Sequence, residues 1–335
     1  MNIYDIARMA GVSIATVSRV VNGSDKVSDK TKEKVLSVIE HAGYTPNVFA
    51  QGLGLNTMHT VGVLVPDISD RYMSSAVSFL EVMLHRNGYE CILSCSGFEL
   101  ERKQSHVQML LSKRIDALIL VGSTYAGNGA STAQTDYIRE AAAQVPVFVI
   151  NGYVEGDNIY TAVCDDRNAV YGVTTSLIRQ GHRKILFLTD SQSYSAQQKM
   201  AGYEAALTEN SIPVRGNLKL RVARNNIYYV KDLLLEYSML EFDSVIATED
   251  AMACGALKYA EAKGLRVPED LSVVGYNNSV ISVATTPELT SVDSRIEDLC
   301  NETASNVLHV LNGDGQAKPR IEVPCRLRLR SSTDF

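Results

Sequence analysis

The spacing of apolar residues changes near residue 60, and this change constrains the fold more than any other feature of the sequence. Before it, apolar residues recur every three or four positions, which is typical of amphipathic helices. After it, short continuous apolar runs alternate with segments of helical length, which is typical of a parallel sheet covered on both faces. The sequence therefore predicts a small helical region followed by a larger α/β region.

Three short helices are predicted in the first 45 residues. An apolar stripe over residues 3–10 ends at Gly11, and a second helix follows a turn of three or four residues, with Ser13 as its N-cap. Ser28 is the expected cap of a third helix that ends near Gly43. The first two helices fit a helix-turn-helix, whose second helix enters the major groove of DNA, although a plain three-helix bundle has the same spacing.

The outer face of the second predicted helix carries the candidate DNA-binding residues. Ile14, Ala15, Ser18 and Arg19 would face the bases, and Arg19 has the forked donors that bind guanine in a bidentate way. The small polar side chains of Ser13, Thr16 and Asn22 suit phosphate oxygens, which set the register without specifying sequence.

Beyond residue 60, seven apolar runs predict strands in two successive series. The first series is 61–65, 91–93, 117–121 and 145–150, and the second is 184–188, 244–247 and 271–276. We expect two doubly wound parallel-sheet lobes of similar size. Ligands of such folds bind in the crevice beyond the carboxyl ends of the strands.

Length and composition are consistent with this organisation. The 335 residues leave room for roughly two domains of about 150 residues and one small module. With 45% hydrophobic and 21% charged residues, wholesale disorder is excluded. There is no apolar run long enough to cross a membrane, and the amino terminus lacks the pattern of a secretory signal, so we expect a cytoplasmic protein without a membrane partner.

Charge alone does not indicate a nucleic-acid partner. The net charge is -6, and dividing the chain at residue 59 gives +1 for the first part and -7 for the remainder. This asymmetry is modest. A DNA-binding function therefore depends on the motif and not on bulk positive charge.

Signatures of catalysis and of metal binding are missing from the sequence. It has no nucleophile elbow, phosphate-binding loop, zinc-protease motif or dinucleotide fingerprint. The six cysteines form no CxxC pair, and Cys91 and Cys95 would share one face of a strand, so core packing is favoured over ligation. The pair Asp165-Asp166 is a weak metal candidate. We expect no catalytic residues, cofactor or metal.

The residues of the helical region closely resemble the headpiece of the LacI/GalR family of transcriptional repressors. Two strings carry the resemblance: Ile3-Tyr4-Asp5-Ile6-Ala7 and Ala10-Gly11-Val12-Ser13-Ile14-Ala15-Thr16-Val17-Ser18-Arg19-Val20-Val21-Asn22-Gly23. Later segments also match family landmarks, at residues 61–69, 181–185 and 264–276. The resemblance thus covers essentially the whole chain.

The family resemblance implies a division into three parts. These are a headpiece at 1–45, a hinge at 46–59 and a two-lobed core of periplasmic-binding-protein type at 60–330. The expected N-lobe is about 60–157 plus 290–320, and the C-lobe is about 158–289 plus 321–330.

In the family, the hinge folds on DNA and inserts a leucine into the minor groove. Leu53 falls at that position. Gln51 and Gly52 stand where the family usually has arginine and serine, and each glycine costs about 1 kcal/mol of helix propensity. We therefore expect a hinge that orders less readily and binds isolated operator DNA more weakly.

Seven residues should face the cleft between the lobes, by resemblance. They are Tyr72, Met73, Asn151, Lys199, Glu249, Asp250 and Asn277. Many members have aspartate at the positions of Asn151 and Asn277 and arginine at that of Lys199, so this chain keeps hydrogen-bonding capacity but loses charge and the arginine fork. A sugar or sugar derivative is the favoured effector class.

The resulting hypothesis is a homodimeric repressor that binds a near-palindromic operator and is controlled by a small effector in the cleft. Two alternatives stay open. The regulator could answer to a protein co-regulator, as in the catabolite-control branch of the family. A two-lobed core could also serve as a solute-binding protein without a role in gene regulation, although the helix-turn-helix argues against this.

Overall fold

The computed structural model describes residues 1–44, 57–127, 132–237 and 239–335. The predicted headpiece helices are confirmed as α1 (Ile3–Ala10), α2 (Ile14–Val21) and α3 (Asp29–His41). The Asn2 side chain caps α1 by accepting from two backbone N–H groups, and Gly11 ends it in the left-handed region at φ 61°. The three helices share a small apolar core formed by Ile6, Ala7, Ala10, Val17, Val20 and Val35.

The first lobe is built on a six-stranded sheet in the order β11-β5-β4-β3-β1-β2, and all of its pairings are parallel. Its strands are β1 (Thr60–Val65), β2 (Glu90–Cys95), β3 (Ala117–Val121), β4 (Val147–Ile150), β5 (Ile159–Cys164) and β11 (Arg320–Val323). Its helices are α4 (Arg71–Arg86), α5 (Leu100–Ser112), α6 (Asp136–Ala142) and α12 (Ile296–Asn312), with short 3-10 turns at Ser123–Ala126 and Thr132–Gln134.

The second lobe repeats the plan with a sheet in the order β12-β10-β9-β8-β6-β7. Its strands are β6 (Ile185–Thr189), β7 (Lys219–Arg221), β8 (Ser244–Ala247), β9 (Ser272–Tyr276), β10 (Thr290–Asp293) and β12 (Arg326–Arg328), the last of which is antiparallel. Its helices are α7 (Asp166–Arg179), α8 (Tyr194–Glu209), α9 (Ile227–Glu236), α10 (Asp250–Lys263) and α11 (Val280–Ala284), with a 3-10 turn at Gly216–Leu218.

Apolar cores lie on both faces of each sheet. In the first lobe one core packs α4 and α12 against the sheet, and the other packs α5 and α6 against the opposite face. The second lobe has the same arrangement, with α9 and α10 on one face and α7 and α8 on the other. The predicted pair of doubly wound lobes is confirmed.

The chain passes between the lobes three times, after Cys164, after Asp293 and after Val323. These segments lie side by side, because the Cys164 thiol donates to the Ser294 carbonyl at 3.1 Å and the Asp165 N–H donates to the Val323 carbonyl at 3.0 Å. The two lobes are therefore joined by a triple connection.

Each crossing lies a few residues later than the predicted lobe boundaries at 157, 289 and 320. The chain leaves a lobe only after completing a strand of that lobe's sheet. β5 pairs with β4 and β11 pairs with β5 in the first sheet, whereas β10 pairs with β9 in the second. β5, β10 and β11 lie outside the seven apolar runs that were predicted as strands.

Leu53, Gln51 and Gly52 lie outside the described residues, as does most of the predicted hinge. In the part of the chain that the structure describes, none of the helices combines the length and the apolar character needed to cross a membrane.

Candidate functional site

Helix α2 presents the predicted base-reading residues to solvent. Val17 and Val20 are buried against the other headpiece helices, whereas Ile14 is 41% exposed, and Ala15 and Arg19 are also exposed. Among the described residues, none forms a hydrogen bond or ion pair with the Arg19 guanidinium, so its forked donors are free.

The polar residues around α2 are partly engaged within the headpiece. Ser13 caps the helix by accepting from the Thr16 N–H at 3.1 Å, and the two hydroxyls lie 2.9 Å apart. The Asn22 amide nitrogen donates to the Ser18 hydroxyl at 3.5 Å, while its amide oxygen is buried without a partner in the described structure. Since phosphate oxygens accept hydrogen bonds, the Asn22 nitrogen is the atom that could reach DNA.

A cleft of about 800 Å³ lies between the lobes of the core. All seven residues predicted to face a cleft line it: Tyr72, Met73, Asn151, Lys199, Glu249, Asp250 and Asn277. Their common location follows from the topology, because the carboxyl ends of parallel strands meet at one edge of a sheet. Asn151 follows β4, Glu249 follows β8, and Asn277 follows β9.

The first-lobe wall contains two buried polar atoms that have no partner within the described residues. They are the Tyr72 hydroxyl, in the first turn of α4, and the side-chain oxygen of Asn151. Burial raises the pKa of Tyr72 well above its usual range, so the hydroxyl stays neutral. Buried polar atoms normally form hydrogen bonds, so these two atoms have hydrogen-bonding capacity that the described residues do not use.

On the second-lobe wall, Lys199 projects from α8. It is only 5% exposed, its ammonium donates to the Thr248 carbonyl at 3.3 Å, and it lies 3.6 Å from the centre of the Tyr276 ring. This carbonyl and aromatic face stabilise a cation that burial would otherwise disfavour.

Asp166 lies beneath Lys199 at the start of α7 and is 3% exposed. Its carboxylate accepts hydrogen bonds from the hydroxyls of Ser195 and Tyr276, each at 2.5 Å. Burial raises the pKa of Asp166, and the Lys199 charge acts in the opposite direction. The neighbouring Asp165 caps α7 by accepting from the Asn168 N–H. The Asp165-Asp166 pair thus serves the fold.

Glu249 faces the cleft with one oxygen accepting from the Asn277 amide at 2.7 Å. Burial raises the pKa of its carboxyl to about 8, the nearby Lys199 opposes this, and the negative charges of Asp190 and Asp70 reinforce it.

Asp250 differs from the expectation that it contacts an effector. It lines the cleft but is 2% exposed, and both of its oxygens are engaged within the protein. One accepts from the Ser291 hydroxyl and the other from the Ser279 N–H, each at 2.6 Å. Its carboxylate therefore fixes the segment after Asn277.

The cleft also includes residues that the sequence analysis missed, among them Asp70, Phe98, Ser123, Asp190, Ser193 and Arg221. The Ser123 hydroxyl donates to that of Ser193 at 2.8 Å, which forms a hydrogen bond between the lobes. Asp190 directly follows β6, so the strand-end rule could have found it. Asp70 caps α4 by accepting from the Met73 N–H.

Comparison with known proteins gives consistent results over the whole chain. Residues 2–47 match the profile of bacterial regulatory proteins of the lacI family, and residues 174–333 match a periplasmic binding protein-like domain. An HTH-type transcriptional regulator of Lachnoclostridium phytofermentans is 46% identical over 337 residues, covering 100% of both chains. Catabolite control protein A of Priestia megaterium is 31% identical and covers 99% of each chain.

A crystal structure of the Lac repressor dimer bound to operator and the anti-inducer ONPF has a similar fold. It matches with a TM-score of 0.83 and 25% identity over 99% of each chain. The sequence matches and this fold agree with the exposed face of α2. We conclude that the chain belongs to the LacI family of bacterial regulatory proteins and is a transcriptional regulator that binds DNA through a helix-turn-helix.

Proposed function

We propose that the protein is a homodimeric repressor that binds a near-palindromic operator and is controlled by a small polyhydroxylated effector, a sugar or sugar derivative. The observation that carries the effector assignment is the cleft itself. Seven side chains that the family resemblance predicted line one space between the lobes, and two of them, Tyr72 and Asn151, have buried polar atoms without partners among the described residues. Hydroxyl and amide groups of this kind suit a polyol.

The proposed DNA contacts divide into base-reading and phosphate-binding sets. Ile14, Ala15, Ser18 and Arg19 would read base edges, because they occupy the outer side of α2. Ser13, Thr16 and Asn22 would contact phosphates, and Leu53 in the proposed hinge at 46–59 would enter the minor groove. The headpiece at 1–45 and the core at 60–330 complete the proposed division.

Control would operate through closure of the lobes. A ligand that contacts Asn151 in the first lobe and Glu249 or Asn277 in the second binds the closed arrangement more tightly than an open one. The effector shifts operator affinity only by its difference in affinity for the two arrangements. An effector that favours the arrangement with separated headpieces lowers operator affinity. An effector that favours the other arrangement raises it.

The proposed location in the cell and the proposed lack of catalytic activity follow from membership of the family. We place the protein in the cytoplasm, where its operator lies, and assign it no catalytic activity, since the relatives reported above are regulators. Control by a protein co-regulator is the second candidate. It is favoured by the 31% identity to catabolite control protein A over 99% of both chains.

The first experiment is a thermal-shift screen of the purified protein against sugars, sugar phosphates, polyols, nucleosides and amino acids. A ligand at 100 times its dissociation constant stabilises the folded state by about 2.7 kcal/mol. Each hit is then added to the protein bound to DNA selected from a random pool. A polyol that raises the melting temperature and changes DNA affinity supports the proposal. If no compound has an effect and a phosphocarrier protein from lysate binds in stoichiometric amounts, the second candidate replaces it.

A further inference from the structure

We propose that the effector carries a protonated amine on a hydroxylated ring, as amino sugars do; this inference rests on the proposed effector site in the cleft. The protonated amine is the chemical feature that distinguishes this ligand from a neutral sugar. The charge of the ligand follows from which charges in the cleft are already balanced within the protein.

Three of the carboxyl groups that line the cleft come from three different elements: Asp70 before α4, Asp190 after β6 and Glu249 after β8. Asp70 accepts only from the Met73 N–H, and Glu249 only from the neutral Asn277 amide. Within the described residues, the Asp190 carboxylate receives no ion pair or hydrogen bond from another residue. All three therefore lack a bonded cation in this part of the chain.

Burial raises the pKa of Asp190, and the charges of the cleft cations Lys199 and Arg221 lower it, but among the described residues neither cation is bonded to any of these three carboxyl groups. Lys199 lies over Tyr276 and beside the buried Asp166. Its single charge acts on Asp166, Glu249 and Asp190 together. Arg71 and Arg221 are exposed at the cleft, and neither forms an ion pair with a described carboxylate. Asp70 and Asp190 thus keep carboxylates without a bonded cation among the described residues of the cleft, and a cationic ligand group would also favour ionisation of Glu249, whose pKa burial raises to about 8.

A second, independent observation identifies the rest of the ligand. The Tyr72 hydroxyl and the Asn151 oxygen are buried polar atoms on the opposite wall, without partners among the described residues. The Ser123 and Ser193 hydroxyls also line the cleft, and Phe98, which is 61% exposed, supplies an apolar ring surface. Hydroxyl-binding groups beside an aromatic face suit a sugar ring, whereas a linear polyamine would leave them without partners.

A bare metal ion fits the site less well than an amine. Among the described residues there is no group of three or more histidine, cysteine, aspartate or glutamate side chains arranged to hold a metal. Three carboxylates spread over two lobes can surround a larger organic cation that also contacts Asn151. We therefore assign the negative charge to recognition of an ammonium group.

The test compares ligands that differ only at the amine. Cellobiose, its 2,2′-diamino counterpart (the β-1,4 dimer of glucosamine) and the N,N′-diacetyl form of that dimer have the same backbone, but only the diamine is cationic. Glucose, glucosamine and N-acetylglucosamine, and the corresponding galactose series, repeat the comparison for single rings. Affinities are measured by titration calorimetry on the full chain near neutral pH.

We expect the amine in at least one series to bind about tenfold or more tightly than both of its neutral counterparts. Asp190→Asn should reduce this preference about tenfold, and Glu249→Gln gives an independent check if the first variant unfolds. Asp67→Asn is the matched control, because Asp67 also lines the cleft but is exposed, whereas Asp190 and Glu249 are half-buried. It should keep the preference.

Three results would overturn the inference, and they have different meanings. If the neutral members of a series bind as tightly as the amine, the amine assignment fails while the proposed sugar effector stands. If no member of any series binds, both the amine and the proposed sugar effector are rejected. If Asp67→Asn removes the amine preference and Asp190→Asn retains it, then Asp70, Asp190 and Glu249 do not recognise the amine.

Discussion

The Tyr276 hydroxyl donates a 2.5 Å hydrogen bond to the buried carboxylate of Asp166, which joins the end of β9 to the start of α7. Bonds to buried charged groups contribute about 1.5 to 3 kcal/mol, and bonds between neutral groups about 0.5 to 1.5 kcal/mol. Tyr276→Phe should therefore lower the free energy of unfolding by about 1.5 to 3 kcal/mol. The phenylalanine ring should keep its position beneath Lys199.

Tyr203→Phe is the control for that substitution. Tyr203 is equally buried, at 1% exposure, but its hydroxyl donates to a neutral acceptor, the Ile185 carbonyl, at 2.8 Å. Urea unfolding of both variants gives the comparison. If both variants lose the same free energy of unfolding, the bond to the Asp166 carboxylate contributes no more than a bond to a neutral carbonyl.

Two helical glycines should respond in opposite directions to alanine. A Cβ on Gly202 of α8 would clash with the backbone carbonyl of Arg167 on α7, whereas a Cβ on Gly172 would meet nothing within 4 Å. Gly202→Ala should lower the free energy of unfolding by about 1 to 3 kcal/mol through overpacking. Gly172→Ala should raise it by up to about 1 kcal/mol through helix propensity. Thermal denaturation of the two variants measures both effects, and a stabilised Gly202→Ala protein would contradict the close packing of α7 and α8.

The stability of the protein should depend on the ionisation of Glu249. Burial raises the pKa of this carboxyl from 4.5 to about 8, so between these values the folded protein holds a proton that the unfolded chain has released. This contribution to stability is lost as the pH rises through that window. Lys199, Asp190, Asp70 and the Asn277 amide surround the group, and their influence is included in this shift.

Glu249→Gln removes the part of the pH dependence of stability that comes from ionisation of Glu249. Unfolding free energies of the wild-type protein and the variant, measured at about pH 5 and about pH 8, should show a steeper decline for the wild type. Asp67→Asn, which removes an exposed cleft carboxylate of lowered pKa, should not flatten the profile in the same way. Parallel profiles for Glu249→Gln and wild type would indicate that Glu249 titrates as an ordinary carboxyl.

Arg19 and Thr16 should affect DNA binding differently. Arg19→Ala should cost about 1 to 3 kcal/mol of discrimination at one base position, because its free guanidinium reads base edges. Thr16→Ala should weaken all sequences nearly alike, since phosphate contacts carry no sequence information. Fluorescence anisotropy with the selected DNA, its single-base variants and random DNA measures both. Equal losses on specific and random DNA for both variants would refute the assignment.

Periodicity and strand-end reasoning predicted the parts of the fold that local sequence determines. The three headpiece helices and the seven apolar strands were found because each contains its own repeating pattern. β5, β7, β10, β11 and β12 were missed. β11 (Arg320–Val323) alternates between exposed and buried residues over only four positions, and it becomes a strand by pairing with β5. Tertiary pairing of this kind is not readable from a short segment.

The candidate cleft shows the same difference between features that local sequence determines and features that depend on tertiary contacts. Asn151, Glu249 and Asn277 were placed by the family resemblance, and their positions after strands agree with it, whereas the roles of their neighbours depend on contacts distant in sequence. Asp250 is held by Ser291, 41 positions away, and Asp166 by Tyr276, 110 positions away. Nothing in the local sequence distinguishes a carboxylate that faces a ligand from one that holds two elements together.

The three crossings between the lobes have a consequence for how this protein can be taken apart or recombined. A single cut in the chain, wherever it falls between β1 and β12, cannot yield two pieces that each contain one complete sheet, because both sheets draw strands from widely separated segments. A chimaera that exchanges effector response between relatives must therefore transfer the core as an undivided block, whereas the headpiece is contiguous and can be grafted with one junction.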